Sequence, residues 1–427
     1  MLRVIENFIA FVVRKKNGDY LRFDPQADCR LPDSCDKTGA LMMYVHIPFC
    51  EQLCNYCSFH KVEFDEGLAR DYFDALKAEI LLYKRQNYNF RAAYFGGGTP
   101  TILLPQLLEV ISLIKSVFDI AEISVETNPN HLTHEHLTPL QEIGVNRLSV
   151  GVQSFDDAIL QASGRFHKYG GGTAIQAKIS QFSGYFPTFN VDMMFNFPNQ
   201  TAESLQQDLA IIQGLNVSQV TYYPLMVSAS TQKAVKKAMG TVNNQRGRLL
   251  YNMITTALQP NYYHGTAWCF NLKTNKNNLV DEYVINYDEY AGIGSGAIGY
   301  LGGSVYANTF NIPEYISRIT RHELPIIARR NFTLNEQLLY DFLMKLFGMS
   351  LDLTAVAKYH KISKSYAVAW LLPVVLFFML IGGLKIQPPW RPLQLKNPYY
   401  WVIMMREFFT SVNNFRDYCR AVEMSTD

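Results

Sequence analysis

The chain has 427 residues, with 39 Lys and Arg against 37 Asp and Glu, so its formal net charge is +2. This balance gives no electrostatic reason to expect a polyanionic partner such as nucleic acid. A hydrophobic share of 48% predicts a globular protein with a filled core, and the length suits one large domain plus a smaller one.

Residues 1–40 are expected to be an N-terminal extension. They contain an apolar patch, Phe8 to Val13, but no long apolar run followed by a small-residue cleavage site, so no secretory signal is expected. The 7 cysteines are odd in number and unevenly spaced, which does not suit a disulfide framework. Together these features predict a reducing, cytoplasmic location.

From residue 42 onwards, short apolar runs alternate with longer amphipathic segments. The apolar runs predict strands at 42–47, 92–95, 123–127, 147–152, 190–194 and 219–225. The segments between them predict helices at 71–84, 105–118, 134–143, 172–182 and 202–215.

Strands joined by crossover helices indicate a parallel sheet. Polar or glycine-rich residues follow every predicted strand, which favours a barrel over an open sheet, because barrel sites draw on the carboxyl ends of many strands. We therefore predict an α/β fold, a partial (β/α)6 TIM-like barrel, over residues 41–330. Residues 286–315 are assigned to the same domain, and Gly292, Gly294, Gly296 and Gly299 allow close backbone approach there.

Residues 331–427 predict a small, mainly helical C-terminal domain of winged-helix-like type. Within it, 366–384 is almost wholly apolar and about as long as a bilayer span. Pro373 interrupts this stretch, Gly382 and Gly383 end it early, and no second span accompanies it. A buried helix is therefore the preferred interpretation, and contact with a membrane is not expected.

Three cysteines follow the first predicted strand at C-x3-C-x2-C spacing: Cys50, Cys54 and Cys57. Three thiolates leave one iron of a four-iron cluster open, as a catalytic centre requires, whereas a structural site is closed by a fourth residue. The alternative is a structural zinc site with His60 as fourth ligand. Zinc ligands more often come in two separated pairs, and the sequence has no second Cys/His pair at such spacing.

The segment from Tyr44 to His60, with its YVHIPFC lead-in and cysteine spacing, resembles the radical S-adenosylmethionine (SAM) superfamily. Within it, the segment resembles the oxygen-independent coproporphyrinogen III oxidase family, which includes heme chaperones and anaerobic heme-degrading enzymes. The resemblance runs over roughly residues 42–310. Its further motifs follow in order: GGGTP at 96–100, ETNP at 126–129, SVGVQSF at 149–155, and Asp192 with NFPNQT at 196–201.

This resemblance implies a 4Fe-4S cluster held by the three cysteines, one or two molecules of SAM, and a low-potential electron donor. The implied chemistry is that of an oxidoreductase of the coproporphyrinogen dehydrogenase type, in which a 5′-deoxyadenosyl radical acts on a tetrapyrrole or similar planar substrate. A monomer is expected. The positions that match cofactor contacts of the family are Tyr44, Tyr56, Gly97, Gly98, Thr99, Glu126, Gln153, Arg165, Asp192 and Ile298.

Among these, the glycines let the backbone approach a bound amino acid, and Glu126 can pair with an ammonium group or with ribose hydroxyls. The resemblance assigns Gln153, Arg165 and Asp192 to a second SAM, where a guanidinium suits a carboxylate. The ring of Tyr56 can lie against adenine, although a plain core aromatic is an equal alternative. Residues that act directly on the substrate are not identified.

The sequence also departs from the oxidase branch. Phe59 stands where that branch has a further cysteine, and its tyrosine-rich N-terminal segment is not recognisable in 1–40. Coproporphyrinogen decarboxylation is therefore not expected, while a tetrapyrrole substrate is. The alternatives are a heme chaperone and a radical methyltransferase or cyclopropanase. Candidates to ligate heme are His46, His60 and His264. His264, Trp268, Cys269 and the aromatic tail are candidates to line a flat apolar pocket, although core packing is the commoner role of such residues.

Overall fold

The structure, a computed structural model, describes residues 2–20, 30–31, 41–275, 285, 287–385 and 392–424. Its strands are β1 Leu41–Ile47, β2 Phe49–Cys50, β3 Val62–Glu63, β4 Ala92–Gly97, β5 Glu122–Thr127, β6 Arg147–Gln153, β7 Thr188–Phe195, β8 Gln219–Pro224, β9 Tyr262–His264, β10 Cys269–Leu272, β11 Glu289–Ile293, β12 Ile298–Leu301, β13 Ser304–Asn308, β14 Ile326–Asn331, β15 Ser350–Leu351, β16 Leu384–Lys385 and β17 Leu393–Leu395.

The helices cover the sheet and form the C-terminal region. They are α1 Leu2–Tyr20, α2 Glu66–Arg85, α3 Leu104–Val117, α4 His134–Glu142, α5 Asp157–Ala162, α6 Phe166–Tyr169, α7 Gly172–Phe182, α8 Ala202–Leu215, α9 Gln232–Met239, α10 Gly247–Leu258, α11 Ile312–Thr320, α12 Leu334–Phe347, α13 Leu353–Tyr359, α14 Lys364–Leu380 and α15 Pro398–Met424. Short 3-10 turns lie at Pro100–Leu103, Pro129–His131 and Asn244–Arg246.

Within the described ranges, the largest sheet has 12 strands in the order β14-β13-β12-β11-β1-β4-β5-β6-β7-β8-β10-β9. The run from β11 to β8 is parallel, and the strands beyond each end of that run pair antiparallel. Strands β1, β4, β5, β6, β7 and β8 are the predicted ones, and crossover helices connect them. The α/β fold with a TIM-like parallel sheet is therefore confirmed.

Sequence patterns did not resolve the antiparallel edges. The glycine-rich segment after residue 286 contains β11, which pairs with β1, and the hairpin of β12 and β13 beyond it. The hairpin turns at Gly302 and Gly303, whose φ angles of 57° and 68° lie in the left-handed region that glycine adopts without strain. Strands of four or five residues are too short to show a clear alternation, so only the turn glycines mark this hairpin.

The C-terminal region is mainly helical, as predicted, and also contains a small sheet of β15, β17 and β16. Helix α15 packs along α1, so α1 is part of the folded body. Arg14 of α1 forms an ion pair of 2.8 Å with Glu407, which also accepts a hydrogen bond from the neighbouring Arg406. Asn17 donates to the Glu407 carbonyl and to the Ser411 hydroxyl.

The apolar stretch considered above as a span forms α14, a 17-residue helix that buries Ala367, Leu371, Val375 and Phe378 against the C-terminal region. Its other side exposes Trp370, Leu372 and Leu376. Among the described residues, one helical stretch, 100–117, is long and apolar enough to cross a membrane by length and composition. That stretch includes α3, which packs beside α2 on the sheet.

A buried carboxylate on α2 ties the glycine-rich turn after β11 to the sheet. Glu79 is fully buried and accepts hydrogen bonds from the Tyr315 hydroxyl at 2.7 Å and the Gly294 amide at 2.8 Å. Asn308 donates to its other oxygen at 3.3 Å. Burial raises the pKa of Glu79 to about 7 in spite of these donors. The folded state therefore favours the protonated carboxyl.

Glu79 should make stability depend on pH. Because its pKa is raised from the usual 4.5, its contribution is complete below that value and is lost as the pH rises through about 7, a change of about 3 kcal/mol. Glu79→Gln should remove this component. Denaturant unfolding at pH 5 and pH 8 should show a smaller loss for Glu79→Gln than for wild type. The exposed Glu109→Gln is the control, and equal losses in all three proteins would contradict the assignment.

Candidate functional site

The three motif cysteines lie in and after β2, at the carboxyl edge of the parallel strands. All three are partly buried and free. The Thr99 hydroxyl donates to Cys50 Sγ at 3.9 Å, and Arg165 Nη1 donates to Cys54 Sγ at 3.5 Å. Burial raises the pKa of the Cys50 thiol to about 11. Two of the thiols are thus contacted by residues from other strand ends, and the Cys50 thiol favours its protonated form until a metal displaces the proton.

The three cysteines line a cavity of about 390 Å³. The structure brings every predicted site residue to its wall, from loops that lie far apart in sequence. They are Tyr44, Cys50, Cys54, Tyr56, Cys57, Gly97, Gly98, Thr99, Glu126, Gln153, Arg165, Asp192 and Ile298. Their convergence follows from the parallel register, because the carboxyl ends of neighbouring parallel strands meet at one edge.

The glycine triplet, Gly96 to Gly98, lies at the end of β4, and a Cβ at any of its three positions would come closer than 3.0 Å to another residue. Gly97 has a φ of 115°, and a Cβ there would lie 2.5 Å from the ring of His46. A Cβ on Gly98 would lie 2.5 Å from the Phe49 carbonyl oxygen. The His46 ring is fixed between the Tyr44 hydroxyl at 3.0 Å and the His60 carbonyl at 2.9 Å. The triplet is therefore pressed against β1, and its backbone faces the cavity.

Glu126, at the end of β5, is held beside this triplet. Its oxygens accept hydrogen bonds from the Tyr94 hydroxyl at 2.8 Å and the Gly97 amide at 3.1 Å. Burial, reinforced by the negative charge of Asp192, raises the pKa of Glu126 to about 7. A cationic or hydroxyl-bearing ligand would stabilise the ionised form of a carboxyl group with so high a pKa.

Asp192 lies on β7, two strands from Glu126. Ser149 Oγ and Asn190 Nδ2 donate to its two oxygens at 2.8 and 2.7 Å. Burial raises the pKa of Asp192, while the fully buried Arg147 acts in the opposite direction. The two carboxylates thus share one electrostatic environment at the floor of the cavity.

Gln153 and Arg165 form the next part of the wall. Gln153 has a φ of 76°, at a register irregularity between β6 and β7. Arg165 Nη2 donates to the Gly151 carbonyl and to Asn128 Oδ1, and its guanidinium carbon lies 4.3 Å from the Tyr169 ring centroid. Its Nε is buried and, among the described residues, has no hydrogen-bond partner. That donor is available to a ligand.

Beyond this polar end, the cavity becomes apolar beneath α12 and α15. Trp268 packs edge-on against Phe347 at 4.7 Å between ring centroids and against Phe409 at 5.9 Å. Other apolar wall residues are Phe332, Leu339, Tyr340, Leu343, Met344, Phe408 and Val412. Asn17 of α1 also reaches the wall. Trp268 was a candidate from the sequence, but sequence reasoning did not name the other wall residues, since helical periodicity does not show which distant element a face will cover.

Most of the other candidate residues do not reach the cavity. His46 and His60 are buried behind the glycine triplet, where His60 Nε2 lies 3.2 Å from Ser295 Oγ. His264 packs on Phe270, and Cys269 is buried in β10. Of this group Trp268 lines the wall, whereas His264 and Cys269 do not, and Cys269 has the buried packing role preferred for it. Cys29 and Cys35 lie outside the described residues.

The donor set suits a cluster better than a single ion. In the described part of the chain, no three His, Cys, Asp or Glu side chains gather closely enough to hold one metal ion. His60 is not on the wall of the cavity that the three cysteines line. Three thiols around a common opening, beside a glycine backbone and a carboxylate, match the three-thiolate ligation of an iron–sulfur cluster with an amino-acid ligand next to it.

Comparisons with known proteins identify relatives of this chain. The Radical SAM superfamily model matches residues 44–212. Heme chaperone HemW from Bacillus subtilis (strain 168) is 30% identical over 308 residues, 69% of this chain and 80% of the relative. Anaerobilin synthase from Escherichia coli O157:H7 is 29% identical over 315 residues, 69% of each chain.

Among solved structures, coproporphyrinogen III oxidase (HemN) from Escherichia coli aligns with a TM-score of 0.71 at 19% identity. The alignment covers 92% of this chain and 91% of that one, which establishes a common fold. The chain therefore belongs to the radical SAM superfamily, in the family that includes heme chaperone HemW, anaerobilin synthase and oxygen-independent coproporphyrinogen III oxidase.

Proposed function

We propose that this protein is a radical SAM enzyme that acts on a tetrapyrrole. One observation carries the proposal: a single cavity joins the three cysteines and the glycine triplet to an aromatic chamber beneath the C-terminal helices. The polar end has the groups to hold a 4Fe-4S cluster and the amino-acid part of SAM. The apolar end suits a flat, largely hydrophobic substrate.

Cys50, Cys54 and Cys57 would hold the cluster, and Gly97 and Gly98 would offer backbone groups to the bound cofactor. When bound, the cluster and SAM supply a 5′-deoxyadenosyl radical that abstracts a hydrogen atom. Glu126 would accept a hydrogen bond from an ammonium or ribose hydroxyl group. The aromatic wall would orient the substrate and exclude water from the radical.

A second SAM is part of the proposal. Gln153, Arg165 and Asp192 lie together on the wall beyond Glu126, and the buried Nε of Arg165 suits a carboxylate. Tyr44, Tyr56, Thr99 and Ile298 complete the proposed cofactor contacts. Tyr56 packs edge-on against Phe197 at 5.9 Å, which fixes its ring. Because a ring so fixed loses little freedom on binding, it suits stacking against adenine.

The substrate class follows from the chamber and the relatives together. HemW is named as a heme chaperone, and the oxidase is named for coproporphyrinogen. A planar tetrapyrrole fits walls built from Trp268, Phe408 and Phe409. Phe59 lines the cavity where the oxidase branch has a cysteine, so decarboxylation of coproporphyrinogen is not proposed.

A second candidate function is heme delivery. It is favoured by the identity to HemW, which extends over 80% of that relative. No histidine of the described residues lines the cavity, so a carrier would have to hold heme iron by another side chain. A low-potential electron donor, a monomeric state and a reducing, cytoplasmic compartment belong to the enzyme proposal. The free state of the described cysteines supports that compartment.

Removing one motif thiol should abolish the cluster. Cys54→Ala should lower the iron content after anaerobic reconstitution from about four atoms per chain to close to none, since two thiolates do not retain the cluster. The visible absorption of the cluster should disappear with the iron. Cys269→Ala, which removes a thiol buried in β10, should keep both. Normal iron content in Cys54→Ala would remove the metal site from the proposal.

SAM binding should depend on the charge of Glu126. With a pKa of about 7, its carboxyl is mostly protonated at pH 6 and mostly ionised at pH 8, so affinity should rise roughly tenfold over that range. Glu126→Gln should weaken SAM binding and remove this pH dependence of the affinity. Equilibrium binding of SAM to the reconstituted protein measures it. Glu122→Gln, at the other end of β5, is the control and should behave as wild type.

The deciding experiment is anaerobic incubation of the reconstituted protein with reductant, SAM and heme, followed by mass spectrometry. Formation of 5′-deoxyadenosine together with a modified tetrapyrrole supports the enzyme. Stoichiometric heme binding without a product supports the carrier. A tetrapyrrole one carbon heavier indicates a methyltransferase or cyclopropanase. The same incubation with coproporphyrinogen tests for loss of carbon dioxide. Absence of both iron and SAM cleavage would refute a radical SAM activity.

A further inference from the structure

The apolar side of the cavity contains a cationic side chain, that of Arg416. Arg416, on α15, lines the cavity among the aromatic residues and is only 8% exposed. Its guanidinium carbon lies 4.9 Å from the ring centroid of Phe59, two residues after Cys57. Asn413 Oδ1 accepts a hydrogen bond from Nη1 at 2.8 Å and so fixes the orientation of the group. A charge is thus held between the cysteine loop and the chamber.

The acidic groups of the same cavity have donors of their own. Glu126 is bound by Tyr94 and Gly97, and Asp192 by Ser149 and Asn190, as described above. Glu336 accepts from Arg330 at 2.7 Å and from the Thr333 amide at 2.8 Å. The carboxylates that line the described cavity thus accept hydrogen bonds from neighbouring strands or from the start of their own helix.

We propose that Arg416 binds a carboxylate side arm of a planar, largely apolar ligand in this chamber. The inference rests on the proposed function and deepens it by naming how the substrate is oriented. A guanidinium offers a planar fork of donors that matches a carboxylate, and a site largely removed from water strengthens the pairing. Phe59 supports the cation from one side, while Trp268 and Phe409 take the apolar body of the ligand.

Binding of heme and of its dimethyl ester to the full-length reconstituted protein tests this assignment. In wild type, heme should bind about ten- to a hundredfold more tightly than the ester, which lacks the charged arms. Arg416→Met should weaken heme binding by about the same factor and leave ester binding unchanged. Arg416→Lys keeps the charge but loses the planar set of donors, so its affinity for heme should lie between those of wild type and Arg416→Met. Arg420→Met, one turn further along α15 and paired with Asp417, is the matched control.

The outcomes separate the two proposals. Equal loss of heme and ester binding in Arg416→Met would show a packing role and overturn the carboxylate assignment, as would no loss at all. Loss of SAM affinity in Arg416→Met, with heme binding intact, would reassign the cation to the methionine carboxylate and also overturn it. If wild type binds neither heme nor ester, the tetrapyrrole function fails first. Thermal unfolding shows whether each variant is folded. Arg416→Lys is the conservative variant, which separates loss of the charge from loss of the planar group.

Discussion

The site depends on one geometric constraint, the parallel pairing of β1, β4, β5, β6 and β7, which is interrupted only at the irregularity beside Gln153 in this run of strands. The pairing aligns Tyr44 with Tyr94, and Glu126 with Ser149, so that each following loop begins at the same edge. Hydrogen bonds across that edge then connect loops that are distant in sequence. Glu126 reaches the backbone of Gly97, and Arg165 reaches both Gly151 and Cys54. A slip of one residue in any pair would turn the polar side chains away from the cavity.

The sequence predicted this part of the molecule because its signals are local. A buried parallel strand is a short apolar run, and the motif that follows it must lie at the carboxyl edge whatever the rest of the chain does. The residues that the structure places on the wall from elsewhere are different. Asn17, Leu343 and Arg416 belong to segments whose position depends on long-range packing. Their chemistry is ordinary in sequence, and nothing local marks them as neighbours of the cysteines.

The histidines illustrate a different difficulty. Their residue type suggests a ligand, but His46 and His60 have structural roles. His46 and His60 lie beside the cysteine motif, yet both are buried behind the glycine triplet. Burial lowers the pKa of His46 to about 4, so its ring stays neutral and bridges the Tyr44 hydroxyl and the His60 carbonyl. The absence of a side chain on Gly97 leaves space for that ring. The ring and the glycine are one packing unit, which explains why a polar aromatic residue stands in the core.

The contact between α1 and α15 bears on the order in which the molecule is assembled. Arg14 and Glu407 are 393 positions apart, and α15 supplies much of the roof over the chamber. During translation, the strands that carry the cysteines and the glycine triplet leave the ribosome well before the roof does. We expect the metal-binding end to be open to delivery factors in the nascent chain, and the roof to be added last. Cofactor insertion and closure would then be successive events, timed by synthesis.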